Sequence, residues 1–305
     1  MASLAAMLPG FLTEIETNEG ICKIIGFYFV ASLAVHFLSG VVSSMSLPHY
    51  NEYAPSSKEV SKHRKKIGKP MTKPELTAYK TKKQHDWNMT VESGFSSLAM
   101  TIMYLFCFNE LYLNGTVEDH WAKCTVLSTH AISLHLAASL YETVIYLVTD
   151  KALEFYAHHV LVVISCGSFL FLGKGHLWCC WLGLVEGSNP PLCAVTALRQ
   201  IPSWNGGTVY TLSGAMLWIC YVFCRVLSAP MCMYAFHKDM ATDPTIAKMS
   251  PDESIHLAWH VLMWVCFVFI YGLSLYWFWL ITRSLYKALR GDFAAPKEGE
   301  EKKKN

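Results

Sequence analysis

Charge is scarce in this chain of 305 residues: Asp, Glu, Lys and Arg make up 16% of it, against 53% hydrophobic residues. Such a balance excludes a soluble globular protein and describes a membrane protein. A nucleic-acid partner is excluded too, because the net charge is only +2 and the basic residues are gathered in one place. No C-x-x-C pair occurs among the eleven cysteines, which read as small apolar residues and do not fix a redox compartment. There is no G-x-S-x-G elbow and no phosphate-binding glycine loop, so a serine hydrolase or an ATP-driven pump has no support. The first twenty residues hold three glutamates and no basic n-region, so no signal peptide is expected. The first span is expected to act as its own insertion signal.

What is present is a series of apolar runs. A bilayer core of about 30 Å needs roughly 20 apolar residues at 1.5 Å each. Six runs meet that need, at about 21–45, 93–113, 124–148, 155–173, 208–234 and 256–284. A seventh, about 175–198, carries Glu186, Asn189 and the Pro190-Pro191 pair. Proline removes a backbone donor and clashes with the turn before it, so this run must be broken near its middle. The expected fold is an all-α polytopic transmembrane bundle of about seven spans, or six if 175–198 does not cross.

Residues 46–87 hold ten Lys or Arg against four Asp or Glu, which places that loop in the cytosol by the positive-inside rule. The Lys-rich C-terminus belongs there too. Both ends can be cytosolic only if an even number of crossings lies between them, which favours seven spans and a lumenal N-terminus. Lys302 and Lys303 match a di-lysine tail read by the coat retrieval machinery of the endoplasmic reticulum. The sequons at Asn88 and Asn114 add little, the first being cytosolic and the second close to a span.

An ionisable group inside a span costs at least about 2.5–3.5 kcal/mol, so each one calls for a functional reading weighed against a plain one. Glu142 lies near the cytosolic end of the third span, His158 and His159 open the fourth, Glu186 sits in the broken run and Arg225 in the sixth. Adjacent histidines point about 100° apart on a helix, so an interfacial pair can be purely structural. Glu186 could cap backbone groups freed by the break, with Arg225 neutralising it as a buried pair. Against this, Glu142, His158 and His159 converge on one half of the bundle. A neutral imidazole with a carboxylate to orient it is the side chain suited to move a proton near pH 7. His130 and His135, with His256 and His260, have metal-ligand spacing. The topology sets them in the lumenal halves of their spans, away from His158 and His159, so no metal centre is expected.

These residues resemble the TLC domain, shared by translocation-associated membrane proteins, Lag-type ceramide synthases and a neuronal ceroid lipofuscinosis protein. The resemblance runs from about Trp87 to Arg290, through "WNMTVESGFSSL", "SLYETVIYL", the His158-His159 pair, "EGSNPP" and "YVFCRVLSAP". It divides the chain into a lumenal segment 1–20, a first span 21–45, a basic loop 46–86, a TLC-type domain 87–290 and a tail 291–305. Ceramide synthases carry two aspartates after the His pair, where this chain has Glu186 and Asn189. The form Glu186-x-Ser188-x-Pro190, with Arg225 and Pro230 later, is similar to the smaller TLC domain-containing branch.

The resemblance implies an endoplasmic-reticulum membrane protein of lipid homeostasis with membrane lipids, sphingolipids or phospholipids, as partners and no resident cofactor. It leaves two readings open. In one, the bundle binds or senses lipid, with Arg225, Ser188, Asn189, Pro190 and Trp87 in binding or structural roles. In the other, it is an acyltransferase that takes acyl-CoA as co-substrate and acylates a lipid amine, with His158 or His159 as base and Glu142 or Glu186 orienting it.

Overall fold

The computed structural model describes residues 15, 17–53, 55, 60, 61, 64, 68–149, 151–201, 203–242 and 253–290. Among them the chain is helical throughout, with α1 Asn18–Ser46, a short α2 Pro48–Asn51, α3 Lys73–Phe108 and α4 Val117–Ala122 in the first half. It continues through α5 Val126–Thr149, α6 Leu153–Leu172, α7 His176–Gly183, α8 Asn189–Gln200, α9 Thr208–Tyr221, α10 Ser228–Thr242 and α11 Glu253–Leu289. Lys302 and Lys303, and the side chains of His256 and His260, lie outside the described residues.

Six helical stretches are long and apolar enough to cross a membrane. They form an all-α polytopic bundle. α5 is its hub: two thirds of its apolar window, 67%, is buried, against 22–33% for the other five. Its sequence explains this, because Ser128, Ser133, Ala137, Ala138 and Ser139 are small enough to let neighbouring helices approach closely where lipid offers no hydrophobic drive. Outward-facing Phe37, Phe95, Phe106 and Phe223 stay exposed, as a lipid-facing surface requires.

The seventh run packs along α3. Gly175 N–H donates to the carbonyl of Trp121 at one end of the bundle. Gly183 then lies against Tyr104, Gly187 against Thr101 and Cys193 beside Gly94. At the other end Tyr53 donates to Gln200 Oε1 at 3.0 Å. The segment thus runs antiparallel to α3 between these two ends. The break falls where the prolines require it: α7 stops at Gly183, a 3-10 turn covers Leu184–Ser188, and Pro190 sits in the first turn of α8, where its missing N–H is harmless. Burial raises the pKa of the Tyr53 hydroxyl, which stays a donor in the loop.

Some helices outrun their apolar stretches. α3 begins at Lys73, twenty residues before the run at 93, with Pro74 in its first turn and a capping box in which Glu75 accepts from Thr72 N–H. Asn88 is consequently buried in mid-helix, accepting from Tyr50 at 3.1 Å, and is closed to glycosylation in the folded protein. Asp86 and Lys151 pair at the same end of the bundle.

Gly183 is where the broken segment comes closest to α3, since a Cβ there would stand 2.5 Å from the Tyr104 ring. Gly183→Ala is expected to cost about 1–3 kcal/mol by overpacking, read as a lowered thermal midpoint of the purified protein in detergent. Gly167→Ala, with open space around it, is expected to leave that midpoint unchanged.

Candidate functional site

The polar residues inside the bundle sort into two groups that sequence order does not separate. The first surrounds Glu142 on α5. Ser93 on α3 donates to Glu142 Oε1, Tyr146 donates to Oε2 at 3.2 Å, and His159 Nε2 stands 3.2 Å from Oε2. The other nitrogen of His159 lies 3.1 Å from the carbonyl of Ser139 and 3.2 Å from Thr143 Oγ1. The Tyr146 ring stacks on the imidazole at 4.9 Å. A backbone carbonyl can only accept, so Nδ1 donates to it while Nε2 is engaged by the carboxylate. Both nitrogens of His159 are thus engaged within the bundle.

The second group surrounds Glu186 on the 3-10 turn. His135 Nε2 is 3.7 Å from Glu186 Oε1, and His135 Nδ1 is 2.9 Å from the hydroxyl of Tyr104. Glu186 thus accompanies His135, Glu142 accompanies His159, and neither carboxylate is paired with His158. His135 and His158, which the sequence set far apart, line the same cavity, and the break after α7 brings Glu186 to His135 as well. Among the described residues no three His, Cys, Asp or Glu side chains are grouped to hold a metal ion.

Arg225 does not pair directly with Glu186, as the sequence suggested it could. Its Nε donates to Ser188 Oγ at 2.7 Å and an Nη to Asn189 Oδ1 at 3.2 Å, while Asn189 Nδ2 donates to Glu186 Oε2 at 2.5 Å. The Asn189 amide has both a donor and an acceptor end, and it uses both to link a cation to an anion. An aspartate here would face Glu186 with like charge. Gly187 lets this turn pack, for a Cβ would meet Cys224 Sγ at 2.8 Å. Arg225 itself is buried within a π-helical turn, Val222–Leu227, a local irregularity frequent at functional sites. Its guanidinium also lies over the rings of Tyr221 and Trp277.

The cavity, a narrow and partly open space, lies between α5, α6, α7 and α11. His158, Val162, Cys166 and Phe169 present one face of α6 to it, at the i, i+4, i+8, i+11 spacing of a helix. Apart from His158, His135 and Glu186, its walls are chiefly apolar side chains and cysteine thiols. Nδ1 of His158 is buried with no hydrogen-bond partner.

Trp87 stays away from this cavity. Its indole N–H donates to Ser43 Oγ at 2.9 Å, tying α1 to α3 near the loop end. Two buried residues escape a reading of apolar runs. Glu92 is 2% exposed, with Oε2 unpartnered. It sits one residue before the run at 93, and counting it as intramembrane would have flagged it. His36 on α1 touches Tyr141 at 2.7 Å and His85 at 3.0 Å. Its signal was that of any histidine within an apolar run.

A profile of the TLC domain matches residues 86–283. No curated protein sequence and no solved structure matches the chain.

The bridging role of Asn189 has a measurable consequence. Asn189→Asp is expected to lower the thermal midpoint, by an amount on the order of 2–3 kcal/mol for a like-charged buried contact. Adding Glu186→Gln to that variant should recover most of the loss, because the amide can again donate across the contact. A double-mutant cycle with no coupling would disprove the bridge.

Proposed function

The chain belongs to the TLC-domain family, whose members are membrane proteins of lipid metabolism and homeostasis, and on that premise we propose that the cavity beside His158 receives a membrane lipid. The observation that carries this reading is the unpartnered Nδ1 of His158 at an otherwise apolar cavity. A buried polar atom without a partner costs roughly 1–3 kcal/mol. A hydroxyl, amine or amide of a lipid head would relieve it, while the apolar walls take the chain. Ligand sites are of this kind, with concave apolar walls and a few convergent polar groups. The Glu142–His159 pair, saturated by Ser93, Tyr146 and Ser139, serves in this reading to hold α5 and α6 in register beside it.

Sphingolipids and phospholipids both fit this chemistry. The family and the basic loop support residence in the endoplasmic reticulum, with the N-terminus lumenal, the C-terminus cytosolic and Lys302 and Lys303 offered to the coat retrieval machinery.

Acyl transfer is the second reading, and the same imidazole favours it. His158 is the member of the pair with a free nitrogen, so it would take the proton from a lipid amine as that amine attacks the thioester carbonyl of acyl-CoA. The acyl carbon gains a bond to nitrogen, its bond to sulfur breaks, and the departing thiolate collects the proton. Glu186, with His135 beside it, would balance the transient charge.

A photoactivatable lipid analogue incorporated with the purified protein into nanodiscs separates these roles. His158→Ala is expected to lose labelling of α6 and α7 while keeping its thermal midpoint. His159→Ala is expected to lose the midpoint first. Equal labelling of wild type and His158→Ala would sink the lipid-site reading, and acyl-CoA-dependent acylation of a sphingoid base by wild type alone would establish the second.

A further inference from the structure

We propose that Cys166 and Cys179 form a two-electron thiol centre that reduces lipid hydroperoxides held in the cavity. The proposal rests on the lipid-binding reading of that cavity. Both thiols line it, one from α6 and one from α7, with their sulfur atoms 3.9 Å apart. A disulfide needs about 2.05 Å between sulfurs, so modest side-chain rotation would join them. Both cysteines are free. His135 lines the same cavity as Cys166, and its imidazole is held by Glu186 and Tyr104. A thiol beside an oriented imidazole is the arrangement that yields a thiolate, the reactive form of cysteine. Cys107 and Cys232, equally buried, are not among the residues that line the cavity and fill space.

Depth identifies the substrate class. Cys166 lies eight positions beyond His158 on the same face of α6, or about 12 Å along the helix. At the ~1.2 Å per bond of an extended chain, about ten bonds cover that distance. A lipid whose head is received at His158 therefore lays the middle of its acyl chain, where the double bonds of unsaturated lipids and hence their hydroperoxides lie, against Cys166. A water-soluble oxidant lacks the acyl chain that concentrates a lipid hydroperoxide at Cys166.

The chemistry balances. The Cys166 thiolate attacks the terminal oxygen of the hydroperoxide; a sulfur–oxygen bond forms, the oxygen–oxygen bond breaks, and the lipid alkoxide leaves with the proton that the thiol released on ionising. Cys166 is then a sulfenic acid. The Cys179 thiol attacks its sulfur, the disulfide forms and water leaves. One hydroperoxide and two thiols give one lipid alcohol, one water and one disulfide, which an external dithiol resets by exchange.

The test uses reduced, full-length protein in nanodiscs containing a phospholipid with a linoleoyl hydroperoxide. Without reductant, the expected yield is one equivalent of hydroxy-lipid, with a Cys166–Cys179 disulfide seen by peptide mapping, and added dithiothreitol gives turnover. Cys179→Ser should still consume one equivalent and leave a dimedone-reactive sulfenic acid on Cys166; Cys166→Ser should do neither. Thermal midpoints equal to wild type certify that the variants are folded. Cys193→Ser, outside the cavity lining, supplies a control that should behave as wild type. The proposal is overturned if the wild-type thiols stay reduced, if Cys166→Ser consumes the hydroperoxide as wild type does, or if hydrogen peroxide oxidises the pair at the same rate as the lipid. A photoactivatable, unoxidised analogue tells the two failures apart. Labelling of the cavity without thiol oxidation removes the thiol centre alone, whereas no labelling removes the lipid-binding reading as well.

Discussion

A helix interrupted inside a bilayer exposes backbone N–H and C=O groups where no water can satisfy them, and the interior of this protein is arranged around one such interruption. The 3-10 turn at Leu184–Ser188 is covered on one side by α3, through Gly183 and Gly187, and on the other by the π turn that carries Arg225. The Glu186–Asn189–Arg225–Ser188 linkage closes the turn with charge-assisted hydrogen bonds. Because the chain dips and resumes there, Glu186 arrives at the level of His135. Without the break α7 would pass by as a plain apolar helix, and no carboxylate would reach the cavity.

Around that constraint the two histidine–carboxylate pairs divide the labour. His159 and Glu142 are enclosed by donors and acceptors that fit them completely, which is how polar groups are held in place at low dielectric. His135 and His158 face a space that the protein leaves empty. The contrast between a satisfied pair and an unsatisfied imidazole one residue away is what the proposed lipid site rests on.

Much of this was legible in the residues. Apolar run length found six crossings, and the prolines of "EGSNPP" placed the break within a few residues of where it falls. Parity between two basic segments favoured a seventh crossing, and the broken segment packs antiparallel to α3. Pairing was not legible, because which carboxylate meets which histidine depends on helix phase and on the offset created by the break. Asn189 illustrates the limit best. Judged against the ceramide synthases it is a missing carboxylate; in the folded bundle it is the one amide placed to donate to Glu186 and accept from Arg225, two residues contributed by separate crossings. Glu92 and His36 were overlooked for a simpler reason: attention to the ends of apolar runs passes over polar residues one step outside them or alone within them.

The π turn at Val222–Leu227 sits within a single apolar stretch, α9 running into α10. A π turn takes in one residue more than an α turn, and each residue added rotates the remainder of the helix by about 100°. The two halves of this crossing are therefore two rods with a fixed angular offset: the first meets α11 through Trp218, which donates to Thr282, and the second buries Cys232 and Phe236 against α7 and α4. A helical wheel drawn through the whole stretch has no single inner side; a one-residue deletion at the turn is absorbed by closing it to an α turn, whereas the same deletion later in the stretch would swing every following side chain out of its partner's reach while leaving length and hydropathy almost unaltered.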